Sequence, residues 1–93
     1  MKDKTRVHVI ISGKVQGVFF RMETKRVADS SNVSGWVKNN SDGTVEAVFE
    51  GAQDAVDSVV KWCRKGPSHS KVSHVDKAEE DYKDKFKGFD IIY

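Results

Sequence analysis

Ninety-three residues, 38% hydrophobic and 32% charged, describe one small globular domain over 1–93. Sixteen basic against fourteen acidic side chains leave a formal charge of +2, too little to point to nucleic acid. A single cysteine, Cys63, excludes an internal disulfide, and after the polar Met1 to Arg6 opening the first apolar run is too short for an export segment or a membrane span, so a reducing, cytoplasmic setting is expected.

Thr5–Ser12 carries Val7, Val9, Ile10 and Ile11, a β-branched run that predicts a central strand, with His8 on its solvent side. The run ends at Gly13, and Gly13-Lys14-Val15-Gln16-Gly17-Val18-Phe19-Phe20-Arg21 separates it from the first helical segment. Glycines let such a turn approach a ligand closely, and a turn ahead of a helix can aim several backbone N–H groups at one anion. Arg21 adds a planar fork of donors suited to phosphate oxygens. The same residues also suit a plain structural turn, and the spacing matches neither GxGxxG nor GxxxxGK[ST]. Phe19 and Phe20 read as packing residues, with Phe20 in the core. Gln16 reads as a brace for the turn, and Lys14 as an auxiliary charge.

Met22–Ser30 predicts a helix with a narrow stripe at Val27 and Ala28, closed by Ser30, Ser31 and an Asn32 able to take a left-handed position. Trp36–Asn39 and Thr44–Glu50 predict a hairpin whose turn chemistry lies in Asp42-Gly43. Its alternation groups Val45, Ala47 and Phe49 opposite Glu46, Val48 and Glu50. In Ala52–Lys65, Ala52, Ala55, Val56, Val59, Val60 and Cys63 recur at three and four residues, the pattern of an amphipathic helix packed on the sheet. Trp62 borders that stripe, and Cys63 reads as a core residue rather than a nucleophile.

Gly66-Pro67 stops the second helix. Lys71–Ala78 predicts an edge strand with Val72 and Val75, and Glu79–Lys87 a solvated connection. Phe89, Ile91 and Tyr93 alternate as a short final strand. His8, His69 and His74 are scattered and apart from the one thiol, so no zinc cluster is expected.

The order is strand, helix, strand, strand, helix, strand, with a small strand added at the end. Right-handed crossovers that place both helices on one face of an antiparallel sheet give the α+β, ferredoxin-like βαββαβ sandwich. The first and second strands then run parallel. Arg21, just beyond the first, and Asn39, at the end of the second, are expected to approach one pocket.

Two stretches, Gly13-x-Val15-Gln16-Gly17-Val18-x-Phe20-Arg21 and Gly35-Trp36-Val37-x-Asn39-x-x-Asp42-Gly43-x-Val45-Glu46, resemble the two signatures of the acylphosphatase family. The chain length, Gly66-Pro67 after the second helix and the Phe89-x-Ile91-x-Tyr93 ending fit the same resemblance. It implies hydrolysis of the carboxyl-phosphate anhydride of acyl phosphates without metal or organic cofactor; a monomer with no nucleic-acid or membrane partner is expected. Arg21 would bind the phosphate and Asn39 would position the attacking water, and the phosphate cradle would comprise Val15, Gln16, Gly17, Val18, Phe19, Phe20 and Arg21. Ser31-Asn32-Val33 stands where Leu-Gly-Leu is common in the family, a departure that bears on stability. The alternative function is a non-catalytic module of the same fold that binds an anionic metabolite or nucleic acid. A nucleic-acid face would need more than His8, Trp36 and Lys38, and Glu46 and Glu50 oppose it.

Overall fold

The computed structural model describes residues 3–93; Met1 and Lys2, the start of the polar opening, lie outside the described residues. The elements are β1 (Lys4–Lys14), α1 (Phe20–Ser30), β2 (Ser34–Asn39), β3 (Val45–Ala52), α2 (Gln53–Lys65), β4 (Lys71–Glu80) and β5 (Phe89–Ile91). They form one sheet in the order β4-β1-β3-β2-β5, and the expected ferredoxin-like βαββαβ order is present.

Alternation along the strands builds the core. Val7, Val9 and Ile11 of β1, Val37 of β2, and Val45, Ala47 and Phe49 of β3 are buried together with Val56, Val59, Val60 and Cys63 of α2. The α1 helix begins at Phe20, two residues before the expected start, so its buried stripe is Phe20, Thr24 and Ala28, spaced one turn apart. Inside that stripe the Thr24 hydroxyl donates to the Phe20 carbonyl at 2.7 Å.

The end of α1 accounts for the departure at Ser31-Asn32-Val33. Asn32 has φ 59°, the amide of Val33 donates to the Ala28 carbonyl at 2.9 Å, and that of Asn32 to the Asp29 carbonyl at 3.2 Å. This is a Schellman closure with Asn in the left-handed place, and its hydrophobic contact is supplied by buried Val33 and Ala28.

β3 pairs antiparallel with both β1 and β2, so these two strands run the same way and finish at the same end of the sheet. β5 pairs parallel with β2, Gly35 opposite Phe89, which makes the sheet mixed rather than wholly antiparallel. The reason is the path of residues 81–88. They leave β4 at one edge and must reach β5 at the other, a crossing of about 19 Å at strand spacing, with roughly 3.3 Å available per extended residue. The chain therefore crosses where β2 begins and has to run along β2 from its start.

The crossing is exposed along most of its length, as the charges of Glu79–Lys87 suggest, but its first two residues belong to β4 and the rest is anchored at defined points. The amide of Lys83 donates to Glu50 Oε2 at 2.7 Å and that of Lys85 to Glu50 Oε1 at 3.2 Å. Arg6 completes the site: Nη1 lies 3.4 Å from Glu50, Nε lies 2.9 Å from Glu80, and the guanidinium stands 5.3 Å from the centre of the Phe86 ring. Glu50 is thus a buried carboxylate, 1% exposed, that fastens the strap over the sheet face without helices. On the same face Val48 is also buried. His8 and Trp36, its register neighbours on either side, bring their rings to 6.4 Å across it.

Burial alone would push the Glu50 carboxyl up, but the amides of Lys83 and Lys85 and the Arg6 guanidinium together hold it below the usual carboxylate range. Its folded value lies below its unfolded value, so its contribution to stability is complete above the ordinary glutamate range and is lost as pH falls through the folded value. Glu50→Ala should cost about 3 kcal/mol at neutral pH by leaving two amides and a guanidinium without their acceptor. Urea unfolding as a function of pH should show the gap from the parent closing in acid; an equal gap at pH 7 and pH 3 would contradict this role.

Candidate functional site

The site begins where β1 leaves the sheet. Between Ser12 and Gly13 the pairing of β1 with β4 slips register, and Gly13 has φ 122° with its α-carbon so close to β4 that a β-carbon would stand 2.1 Å from the Lys71 carbonyl oxygen. The bulge ends the ladder and releases the chain into the turn before α1.

Val15, Val18 and Phe20 are buried and pin that turn to the core, while Gly17 and Phe19 are exposed. Among the described residues, the backbone N–H groups of Gln16, Gly17, Val18 and Phe19 make no hydrogen bond to another main-chain group. Those of Phe20 and Arg21 open α1, where the first turn of a helix has donors without intrahelical partners. The turn and the helix end therefore present a row of free donors.

Gln16 braces this turn, though against another element: its Nε2 donates to the carbonyls of Asn40 at 2.8 Å and Thr44 at 2.9 Å. Those carbonyls flank the β2–β3 turn, which Asp42 closes by accepting from the Thr44 amide and hydroxyl. Hydrogen bonds from Thr44 hold the Asp42 carboxyl below its ordinary value. One glutamine side chain thus ties the turn after β1 to the hairpin that carries Asn39.

Arg21 and Asn39 line the same pocket of about 280 Å³, with Val15, Gly17, Phe19, Phe20, Met22, Ile91 and Tyr93. The expected convergence of the two polar groups is present. The Arg21 guanidinium lies 5.1 Å from the centre of the Tyr93 ring, a face contact that leaves its in-plane N–H fork free for an anion. Asn39 Oδ1 is buried with no hydrogen-bond partner among the described residues. A buried carbonyl oxygen in that state is a ready acceptor for a donor entering the pocket.

Phe19 departs from the expected packing role. It has φ 63° and ψ 21°, in the left-handed region that bulky residues avoid, and its ring is 69% exposed. Phe20 is the core residue, buried and 5.6 Å from the Trp62 ring. Lys14 is exposed at the end of β1 and does not line the pocket. Sequence reasoning singled out neither Met22 nor Tyr93 for the pocket, because the early start of α1 and the side of β2 on which β5 docks are both set by packing. Cys63 stays outside the site, its thiol pushed up to about 12 by burial despite the nearby Arg64 charge.

A ferredoxin-like sandwich whose turn of free backbone donors faces a buried amide has the features of a small anion site. The acylphosphatase family profile matches residues 7–91, and the chain belongs to that family. It is 52% identical over 88 residues to the acylphosphatase of Syntrophus aciditrophicus, covering 95% of this chain and 92% of that one. It superposes on the acylphosphatase of Bacillus subtilis with TM-score 0.92 at 36% identity, covering 96% and 99% of the two chains. The corresponding figures for the acylphosphatase of Coxiella burnetii are 0.91 and 39%, covering 97% and 94%.

The contrast between the two phenylalanines is measurable. Phe20→Ala should lower stability by about 3–5 kcal/mol, whereas Phe19→Gly, which relieves the left-handed strain and removes a ring already in solvent, should change it by no more than about 1 kcal/mol. Urea titration of both variants decides; comparable losses would contradict the placement of Phe19.

Proposed function

We propose that Arg21 and the amides of Val15, Gln16, Gly17, Val18, Phe19 and Phe20 hold the phosphoryl group of an acyl phosphate, and that Asn39 places the water that attacks it. The observation that carries the reading is the pairing of free turn amides and an unshared guanidinium with an unpartnered, buried Asn39 Oδ1 in one pocket. Family membership and the named relatives support acyl-phosphate hydrolysis as the activity.

The chemistry fits what these residues can do. Water oxygen bonds to phosphorus as the bond from phosphorus to the acyl oxygen breaks, and the carboxylate leaves with the electron pair. A carboxylate is a good leaving group, so no strong general acid is called for. The principal task is to neutralise and align the phosphoryl oxygens, which one guanidinium and a ring of oriented amides perform. Asn39 Oδ1 accepts a proton-bearing edge of the water, which fixes its direction of attack, but an amide does not take the proton away. That proton passes to a phosphoryl oxygen, yielding inorganic phosphate and a carboxylate.

On this reading residues 1–93 act as one domain, a cytoplasmic monomer whose partners are its substrate and products, with Arg21 supplying the positive charge that a metal ion provides elsewhere. Among the described residues no helix is long and apolar enough to cross a membrane.

Arg21→Ala should lower kcat/KM for a simple acyl phosphate by at least about a hundredfold and weaken inorganic phosphate as a competitive inhibitor. Asn39→Ala should lower kcat by a similar factor while phosphate still binds. Both assays should be insensitive to a metal chelator. Near-normal turnover by either variant, or phosphate binding by the parent without hydrolysis, would contradict the assignment.

A further inference from the structure

β5 is three residues long and lies at the edge of the sheet, paired with β2 on one side and open on the other. Its ladder is correspondingly short: the Gly35 amide donates to the Gly88 carbonyl at 3.0 Å, and the Ile92 amide to the Val37 carbonyl at 2.9 Å. Successive carbonyls along a strand point to opposite edges, so that of Phe89 turns away from β2, where an edge strand leaves such groups without a ladder partner. Lys25 of α1 takes this place. Its Nζ donates to the Phe89 carbonyl at 2.7 Å and to Asp29 Oδ2 at 3.0 Å. Among the described residues no other hydrogen bond joins α1 to β2 or β5.

The position of this bond matters more than its strength. One wall of the pocket is α1, with Arg21 and Met22; the other is β2 and β5, with Asn39 and Ile91. Lys25 lies one turn along α1 from Arg21, so the two cations share a helix face and reach the same C-terminal segment, Arg21 over the Tyr93 ring and Lys25 on the Phe89 carbonyl. Phe89 is buried and its ring stacks on that of Phe49 at 5.6 Å, which holds β5 to the core. Apolar burial is non-directional and does not by itself fix how far α1 stands from the strand.

We propose that Lys25 is a positioning residue for the phosphoryl site: without lining the pocket, it ties α1 to β5 and so sets the separation of Arg21 from the wall that carries Asn39. The inference rests on the reading of this pocket as a phosphoryl site. Gln16 does the corresponding work from the other direction, tying the turn after β1 to the β2–β3 hairpin. Asp29 aims the lysine, since the two side chains stand four residues apart on α1. Stability is a poor reason for the arrangement, because these side chains are 42% and 51% exposed and an ion pair of that kind adds little. A guanidinium that must meet phosphoryl oxygens in the right plane gains from a fixed helix position, because small displacements of a binding group are costly.

The test measures hydrolysis of acetyl phosphate and, separately, binding of inorganic phosphate by the full chain and by Lys25→Met and Lys25→Arg, well below their unfolding temperatures. Lys25→Met keeps the apolar stem and removes the donor, and it should raise KM and the phosphate dissociation constant together by about threefold to tenfold. Lys25→Arg, which retains a charged donor, should return both to within about twofold of the parent. Parental KM and phosphate affinity in Lys25→Met would overturn the proposal, even with a lowered apparent kcat, since loss of folded protein alone has that signature. Failure of Lys25→Arg to recover phosphate affinity would overturn it too. In a parent that binds phosphate but leaves acetyl phosphate intact, the hydrolytic reading fails and the phosphate affinities of the variants still decide the role of Lys25. A parent that binds no phosphate overturns both.

Discussion

The parallel run of β1 and β2 on either side of β3 is the constraint on which the site depends. Because β3 pairs antiparallel with both, the exits of β1 and β2 lie at one end of the sheet, and residues eighteen apart in sequence face one pocket. Neither element would suffice alone. The turn after β1 offers donors and no acceptor, and the end of β2 offers an acceptor and no positive charge. Gln16 converts this proximity into a fixed relation, since its amide spans the two carbonyls that flank the β2–β3 turn. A hydrolase that works by alignment rather than by acid and base strength needs that rigidity more than it needs reactive side chains.

The opposite end of the sheet carries its own fastening. Five strands with the last two elements at opposite edges oblige the chain to cross the helix-free face, and a crossing segment rich in lysine and aspartate has few apolar groups with which to hold itself down. A buried carboxylate answers the problem: Glu50 gathers two strap amides and the Arg6 guanidinium. The consequence reaches the pocket, because the strap delivers β5, and β5 brings Ile91 to the pocket wall with Tyr93 just beyond it. Stability at one end of the sheet and pocket shape at the other are linked by a single short strand.

Most of this architecture is legible in the residues, for identifiable reasons. The β-branched run at Val7 to Ile11, the Asp42-Gly43 turn and the α2 stripe each depend on local pattern, and each element is found in the structure. Asn32 in a left-handed position follows from its tolerance of that backbone, and the Schellman bonds supply the rest. The readings that changed depend on distant partners. Phe20 is the core residue as expected, but nothing local shows that Phe19 turns out to solvent; that is decided by where α1 starts and by the contact of Phe20 with Trp62, forty-odd residues away. The exposure of Glu79–Lys87 follows from its charges, whereas a backbone amide bound to a glutamate thirty-three residues earlier leaves no trace in composition. The convergence of Arg21 and Asn39 on one pocket was legible because topology and the family resemblance pointed to the same pair, whereas Met22 and Tyr93 reach the pocket through packing alone.

The central claim is that the pocket grips the phosphoryl group and that Asn39 directs water at phosphorus rather than at the acyl carbon. Hydrolysis of an acyl phosphate in water enriched in the heavy oxygen isotope, with mass analysis of both products, tests it most directly. The label should appear in inorganic phosphate and be absent from the carboxylate. Label in the carboxylate would mean that water attacks the carbonyl carbon, and the assignment of the turn amides, Arg21 and Asn39 would fail together.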